Sequence, residues 1–481
     1  MSWQPPSPKS AAEVFEQHRN WDSKSNSNAN PNKNLLRSQQ THWISRTQYY
    51  LDLLTPLTTT GQFPRVLLAQ RNPIEFLAGF MATCITECPV FLGNPSWSTQ
   101  EWQQVLDLTQ PHHIWGDLPN ATEAQLSNAN TSQRGWIMIP TGGSSGGIKF
   151  AIHTWQTLSA SVAGFQQFFY GAQQPISSCC MLPLYHVSGL MQFMRAFLTG
   201  GQLILLPFAE CLSGQSTQPD ANNFLQNSPA DFFLSLVPTQ LQRLLEGRSR
   251  IPWLQQFPTI LLGGAPAWST LLDPAKDLSL NLAPTYGMTE TASQIATLKP
   301  AEFLQGHWGT GRILPHAHIT IHTAQEDSPP GLIEVRSRSL FQGYYPQWQS
   351  LEAWVTDDIG TLDAQGYLTI QGRNSRKILS GGENIFPEEI EATLQASGLV
   401  KEVCVLGIPD NQWGEAVTAL YVPIHPDLTP EHLTERMKAK LVQHLSPYKH
   451  PKRWICLEQL PRNAQGKLDH QRLKDWANLQ D

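Results

Sequence analysis

The chain of 481 residues is short of charge, cysteine and long apolar runs, and each shortage removes a class of function. Charged residues make up 15% of it and the formal net charge is −6, so no broad basic surface is available for a nucleic acid or an anionic membrane. Only seven cysteines occur; Cys179 and Cys180 are adjacent and no pair is spaced C-x-x-C, a pattern that fits reduced thiols better than a disulfide or zinc framework. No apolar stretch approaches the roughly 20 residues that span a bilayer, and the opening MSWQPPSPKSAAEVFEQ lacks a basic segment followed by an apolar run. A cytoplasmic protein without stable membrane insertion is the expectation. Two nucleotide signatures are missing as well. A Walker A loop needs Ser or Thr after its lysine, whereas Phe150 follows Lys149, and no G-x-G-x-x-G fingerprint surrounds that lysine.

What is present begins with size. A single hydrophobic core stops growing at about 250–300 residues, so this length implies at least two domains. Residues 23–34 (SKSNSNANPNKN) are polar and asparagine-rich, which predicts a link between an N-terminal helix and the main fold. From about Val66, short apolar runs such as VLLA, MIP and LILL alternate with helix-length segments such as EWQQVLDL and FLQNSPADFFL, the pattern of parallel sheets flanked by helices in an α/β fold. After Pro330 the pattern becomes short strands and turns (GLIEVRS, GTLDAQGYLTIQGR), and from Pro387 a small unit containing EEIEATLQAS. A boundary at residues 373–376 is expected, dividing 1–374 from 375–481.

Residues 140–150, PTGGSSGGIKF, carry the strongest chemical signal. Gly142, Gly143, Gly146 and Gly147 allow successive backbone N–H groups to converge on an anion. Thr141, Ser144 and Ser145 add hydroxyl donors, and Lys149 adds a mobile positive charge, a set suited to polyphosphate. Four further segments place polar groups between turn residues. LLGGAP (261–266) is an apolar strand ending in glycines. PTYGMTET (284–291) joins an aromatic face, a flexible Gly287, hydroxyls and a carboxylate. WVTDDIG (354–360) offers carboxylates for the hydroxyls of a ribose, and LPRNAQGKLDH (460–470) presents one lysine on a glycine-flanked loop.

With these in order, closed by GRNSRKILSGGENIFPEEIE at 372–391, the chain resembles the adenylate-forming superfamily of acyl-CoA synthetases, luciferases and peptide-synthetase adenylation domains. The resemblance runs from about residue 40 to the end. It implies a large N-terminal domain of layered α/β subdomains plus a small β-barrel-like part, and a small mobile α+β C-terminal domain. It also implies the chemistry: ATP and Mg²⁺ convert a carboxylate to an acyl-adenylate, whose acyl group then passes to the thiol of coenzyme A.

By that resemblance Thr141, Ser144, Ser145 and Lys149 hold the β- and γ-phosphates, Gly264, Ala265 and Pro266 line the adenine, and Tyr286 stacks on it beside Gly287. Thr289 bonds the α-phosphate, Glu290 helps hold Mg²⁺, and Asp358 with Arg373 holds the ribose. Lys467 is the catalytic lysine of adenylation, placed where charge develops between the acid and the α-phosphate. Gly381 and Gly382 face the thiol arm of coenzyme A, and Ser375 stands at the hinge. Two positions depart from the family pattern. Ile148 replaces a proline common before the loop lysine, and Ser375 with Arg376 replaces the paired aspartates of many relatives.

Residues 181–195, MLPLYHVSGLMQFMR, bear on which acid is used. In the family the residue at His186 gates the acyl pocket, while Ser188 and Gly189 shape its floor. Arg195 lies on an otherwise apolar helical stretch with Leu190, Met191, Phe193, Met194 and Phe197, where its charge is costly to desolvate unless an anion or polar partner meets it. A second substrate carboxylate is one such partner; a protein carboxylate or a path to solvent is another. An arginine after HVSG resembles the o-succinylbenzoate–CoA ligases of menaquinone and phylloquinone synthesis. Other aryl- or acyl-CoA ligases of benzoate or coumarate type, and an inactive binding module on the same fold, are the competing readings. The expected partners are small molecules: ATP, an aromatic dicarboxylic acid and coenzyme A.

Overall fold

Three sheets organise this computed structural model, which describes residues 9–24, 36, 39–116, 131–142, 148–171, 174–226, 229–267, 269–323, 330–380, 383–410, 412–424, 428–445, 447–462 and 468–478. The first sheet contains β1 (Val66–Leu68), β2 (Val90–Leu92), β3 (His113–Trp115), β4 (Ile137–Gly142) and β5 (Ile148–His153), in the order β3-β1-β2-β4-β5. β1 to β4 are parallel and β5 folds back antiparallel on β4. β1 and β2 are buried along their whole length, as parallel strands joined by crossover helices must be. Those helices have strong starts: Asn72 caps Pro73–Thr86 through the N–H groups of Ile74 and Glu75, and Ser98 with Glu101 forms a capping box on Thr99–Thr109.

The second sheet has eleven strands: β6 (Ser177–Cys180), β7 (Leu203–Leu205), β8 (Phe232–Leu236), β9 (Thr259–Leu262), β10 (Leu282–Met288), β11 (Ser293–Thr297), β12 (Gly311–Ile313), β13 (Ala317–His322), β14 (Gly331–Ser337), β15 (Trp354–Leu362) and β16 (Tyr367–Arg373). Its order is β13-β14-β15-β16-β12-β11-β10-β9-β8-β6-β7. The half from β7 to β10 is parallel, and beyond β10 every pairing is antiparallel. The strand-and-turn region after Pro330 is therefore hydrogen-bonded into the same sheet as the parallel half. The change of direction falls at a bulge between Tyr286 and Gly287. There a Cβ on Gly287 would collide with the backbone of Ser293 and Gln294, so only glycine permits the approach.

The third sheet is built entirely from later residues: β17 (Ile378–Ser380), β18 (Glu383–Ile385), β19 (Val400–Asp410), β20 (Gly414–Pro423) and β21 (Arg453–Cys456). It has its own core, in which Ile390 and Leu394 of one helix and Leu433, Met437 and Leu441 of another pack on Val405, Val417 and Tyr421.

One sequence expectation is corrected. FLQNSPADFFL is not one helix: Pro219–Gln226 is helical and Phe232–Leu236 is β8. Pro229 cannot continue a helix, and the aromatic run after it buries as a strand. The first helix extends to Lys24, so Ser23 and Lys24 are helical; the rest of the polar segment at 23–34 lies outside the described residues. Among the described residues no helix is long and apolar enough to cross a membrane.

Candidate active site

Parallel strands bring their carboxyl ends to one edge, where open α/β sheets bind ligands. β6 ends before the segment leading to His186, β9 before Gly264, Ala265 and Pro266, and β10 before Thr289 and Glu290. Strand pairing between β9 and β10, Leu262 opposite Pro284, sets the last two loops side by side.

β4 and β5 form a hairpin in which Thr141 pairs with Lys149. Ser144 and Ser145 lie outside the described residues. Lys149 is exposed, and its Nζ stands 5.5 Å from the centre of the Tyr344 ring. Tyr344 in turn donates its hydroxyl to Oε1 of the buried Glu290 at 2.7 Å. Two backbone bonds fix this segment: Phe341 N donates to Glu290 O at 2.8 Å, and Tyr345 N to Phe150 O at 2.9 Å. His153, also on β5, reaches Thr289 O through Nε2 at 2.8 Å and Thr157 Oγ1 through Nδ1 at 3.1 Å. Burial pulls the imidazole down to about 4, so it is neutral at pH 7. Thr141, Lys149, Thr289 and Glu290 are thus assembled from three separate segments. Tyr344 was not singled out from the sequence, where it reads as one more aromatic after glycine.

Asp358 of β15 faces Arg373 of β16 across the strand pair. Arg373 Nε donates to Asp358 Oδ1 at 3.1 Å, and the Tyr286 hydroxyl donates to Oδ2 at 2.7 Å. Burial, followed by the Asp358 charge, pushes the Tyr286 phenol far up, keeping it a donor. A carboxylate offers about four lone-pair positions, so each oxygen of Asp358 retains room for one more donor, such as a ribose hydroxyl. Gly264, Ala265 and Pro266 form an exposed loop; Gly264 has φ +83°, a conformation that suits glycine.

The helix Val187–Thr199 carries the acyl-side residues. His186 sits at its N-cap, half-buried, and its carbonyl receives Leu190 N at 2.9 Å. Gly189 is pressed on the carbonyl of Pro183, where a Cβ would collide. Ser188, Gln192 and Arg195, spaced i, i+4, i+7, form a polar stripe on this apolar helix, running from exposed Ser188 inward. Arg195 is 3% exposed. Its Nη2 donates to Ser293 Oγ at 3.0 Å and Gln294 Oε1 at 2.8 Å, and the guanidinium lies 4.1 Å from the centre of the Phe165 ring. Those partners are neutral: burial alone draws Arg195 down to about 9, with no carboxylate offsetting it among the described residues. Among the described residues neither a carboxylate nor a route to solvent accounts for it. Ser293 and Gln294 follow Glu290 closely on the chain, so β11 links the arginine to the segment that carries Thr289 and Glu290.

Beyond β16, Ser375 donates both its N–H, at 3.1 Å, and its hydroxyl to the Asp357 carboxylate. Arg376 turns the other way, to Glu388 at 2.9 Å and Glu391 at 2.6 Å on the helix Pro387–Ala396. The departure from paired aspartates is thus a two-sided anchor, one residue tied to β15 and the next to the third sheet's helix. Gly381, Gly382 and Lys467 lie outside the described residues.

Known proteins share this arrangement. Residues 119–345 match the AMP-binding enzyme family, and residues 389–467 match the AMP-binding enzyme C-terminal domain. A 2-succinylbenzoate–CoA ligase of Listeria monocytogenes is 34% identical over 349 residues, covering 70% of this chain and 68% of the relative. One from Bacillus cereus is 30% identical over 436 residues, 85% of this chain and 88% of the relative. Among solved structures, o-succinylbenzoate CoA synthetase from Bacillus subtilis, in complex with its acyl-adenylate intermediate, matches with a TM-score of 0.78 and 25% identity over 98% of each chain. The chain belongs to the AMP-binding enzymes, the adenylate-forming ligases.

Proposed function

We propose that the protein is an AMP-forming acid–thiol ligase that activates o-succinylbenzoate and transfers it to coenzyme A, a step toward menaquinone or phylloquinone. In the first half-reaction an oxygen of the succinyl carboxylate attacks the α-phosphorus of ATP and pyrophosphate leaves. In the second, the coenzyme A thiolate attacks the acyl carbon and AMP leaves. Thr141, Ser144, Ser145 and Lys149 hold the β- and γ-phosphates. Tyr286, Gly287 and the loop Gly264, Ala265, Pro266 take the base, Asp358 and Arg373 the ribose, and Thr289 the α-phosphate.

Mg²⁺ would be held mainly by the triphosphate. Among the described residues no group of three or more His, Cys, Asp or Glu could hold a metal ion by itself. Mg²⁺ is commonly held by one or two carboxylates plus substrate phosphates, and Glu290, with Oε1 fixed by Tyr344, fits the role of a single protein ligand. Lys467 stabilises the charge that develops at the α-phosphate, and His186 gates the acyl pocket whose floor Ser188 and Gly189 shape. Residues 1–374 act as the ATP- and acyl-binding domain. Residues 375–481, pivoting at Ser375, carry Lys467 in the first half-reaction and Gly381 and Gly382 against the thiol arm in the second.

Arg195 carries the choice of acid: a buried cation with only neutral partners, on the helix that begins at His186, suits a second carboxylate. Named relatives that use 2-succinylbenzoate support the same choice. The seven free cysteines suit a reducing compartment, and a cytoplasmic location is proposed on that ground. Incubation with ATP, Mg²⁺, coenzyme A and o-succinylbenzoate is expected to yield pyrophosphate, AMP and the thioester, with benzoate far poorer. Equal turnover of benzoate would refute the dicarboxylate assignment.

A further inference from the structure

His316 lies between β12 and β13 and is 8% exposed, yet among the described residues neither ring nitrogen has a hydrogen-bond partner. Its imidazole rests against the helix Trp155–Tyr170 at Gly164, where a Cβ would collide with the ring. The next residue on that helix, Phe165, stacks beneath the Arg195 guanidinium. Arg195 Nε is also buried and unpartnered, as is Oε1 of fully buried Gln192 one turn earlier on the stripe. Unsatisfied buried polar atoms are uncommon, and each is destabilising by about 1–3 kcal/mol unless something meets it. Arg195 and His316 meet adjacent residues of one helix, Phe165 and Gly164, and the arginine is near enough for its charge to act on the imidazole, at the inner end of the polar stripe that starts from Ser188.

We propose that His316 is a specificity-determining residue that, with Arg195, forms a buried subsite for the ring carboxylate of an aromatic dicarboxylic acid. This rests on the substrate assigned above. Arg195 Nη2 stays with Ser293 and Gln294, while its Nε and one N–H of His316 each face an oxygen of the carboxylate. Burial and the neighbouring Arg195 charge hold His316 down at about 4, so at neutral pH it is an uncharged donor and adds no second cation. Gly164 belongs to the same device, since any side chain there displaces the ring.

The test compares kcat/KM for o-succinylbenzoate with that for 4-oxo-4-phenylbutanoate, the same molecule without its ring carboxylate, in pyrophosphate release. His316→Phe keeps an aromatic ring against Gly164 but removes both nitrogens. It is expected to cut the wild-type preference for the dicarboxylate by about tenfold to a hundredfold, the range for a lost hydrogen bond to a charged group. His316→Gln, which restores an N–H, recovers part of the preference. Should His316→Phe fail to fold, Gly164→Ala carries the same expectation, because it moves the ring without altering its chemistry. An unchanged preference, including equal losses with both acids, overturns the role of His316 while leaving the substrate assignment intact. A wild-type enzyme that shows no preference for o-succinylbenzoate overturns both.

Discussion

At the scale of single residues, the site depends on side chains that hold other side chains. Tyr344 fixes one oxygen of Glu290 and offers its ring to Lys149, so it couples the carboxylate proposed to meet Mg²⁺ to the lysine proposed to meet the phosphates. Tyr344→Phe leaves that buried oxygen without its donor. A hydrogen bond to a charged group is worth about 1.5–3 kcal/mol, so kcat/KM for MgATP is expected to fall about tenfold or more, read from pyrophosphate release at varied ATP. A value unchanged within about twofold would remove Tyr344 from the site. The sequence revealed Glu290 and Lys149 because their motifs are local. It hid Tyr344, Gln192, Ser293 and His316, whose meaning comes only from which distant residues they meet. Arg195 was half legible: its improbable charge on an apolar helix stood out, but its neutral partners could not be read ahead of the fold.

At the scale of elements, strand ends decide what can converge. The strand assignments for VLLA, MIP and LILL follow from short apolar runs bounded by turn residues, and they hold as β1, β4 and β7. FLQNSPADFFL misled because helix and strand periodicities overlap in short aromatic runs, and Pro229 was the overlooked punctuation. The hinge departures were legible as differences from relatives, not as an anchor. Arg376 now has a calculable consequence. Arg376→Leu strands Glu388 and Glu391 without their cation; the three side chains are only partly buried, so the loss is that of a hydrogen-bonded charged partner, about 1.5–3 kcal/mol. Urea denaturation should register that loss, whereas Lys438→Ala, which breaks the exposed pair with Glu435, is expected to change stability by less than about 1 kcal/mol. Similar small losses for both variants would contradict the anchor.

At the scale of the whole molecule, burial sets how the fold responds to acid. His153, His316 and His470 are each held down at about 4, desolvation being the first cause in every case. In the unfolded chain they take up protons near their ordinary value of about 6.5. Between pH 6.5 and 4 the unfolded state therefore binds more protons than the folded one, and stability falls as pH is lowered through that window. Thermal melting from pH 7 to 4.5 should show a falling midpoint, and His153→Asn should flatten the slope. A midpoint independent of pH would contradict the burial of these rings.

The same scale governs catalysis, because Lys467 acts in one half-reaction by the roles proposed above. Lys467→Ala is expected to lower adenylate formation by about a hundred- to a thousandfold, while thioester formation from a supplied acyl-adenylate survives. Equal loss in both would refute that division of labour. The most direct measurement of the central claim, that scattered loops gather around one ATP to activate a dicarboxylic acid, is isotope exchange between pyrophosphate and ATP without coenzyme A. Exchange that requires o-succinylbenzoate and is lost in Asp358→Ala is the predicted result. Exchange with no carboxylic acid present, or none with any acid tried, would contradict it.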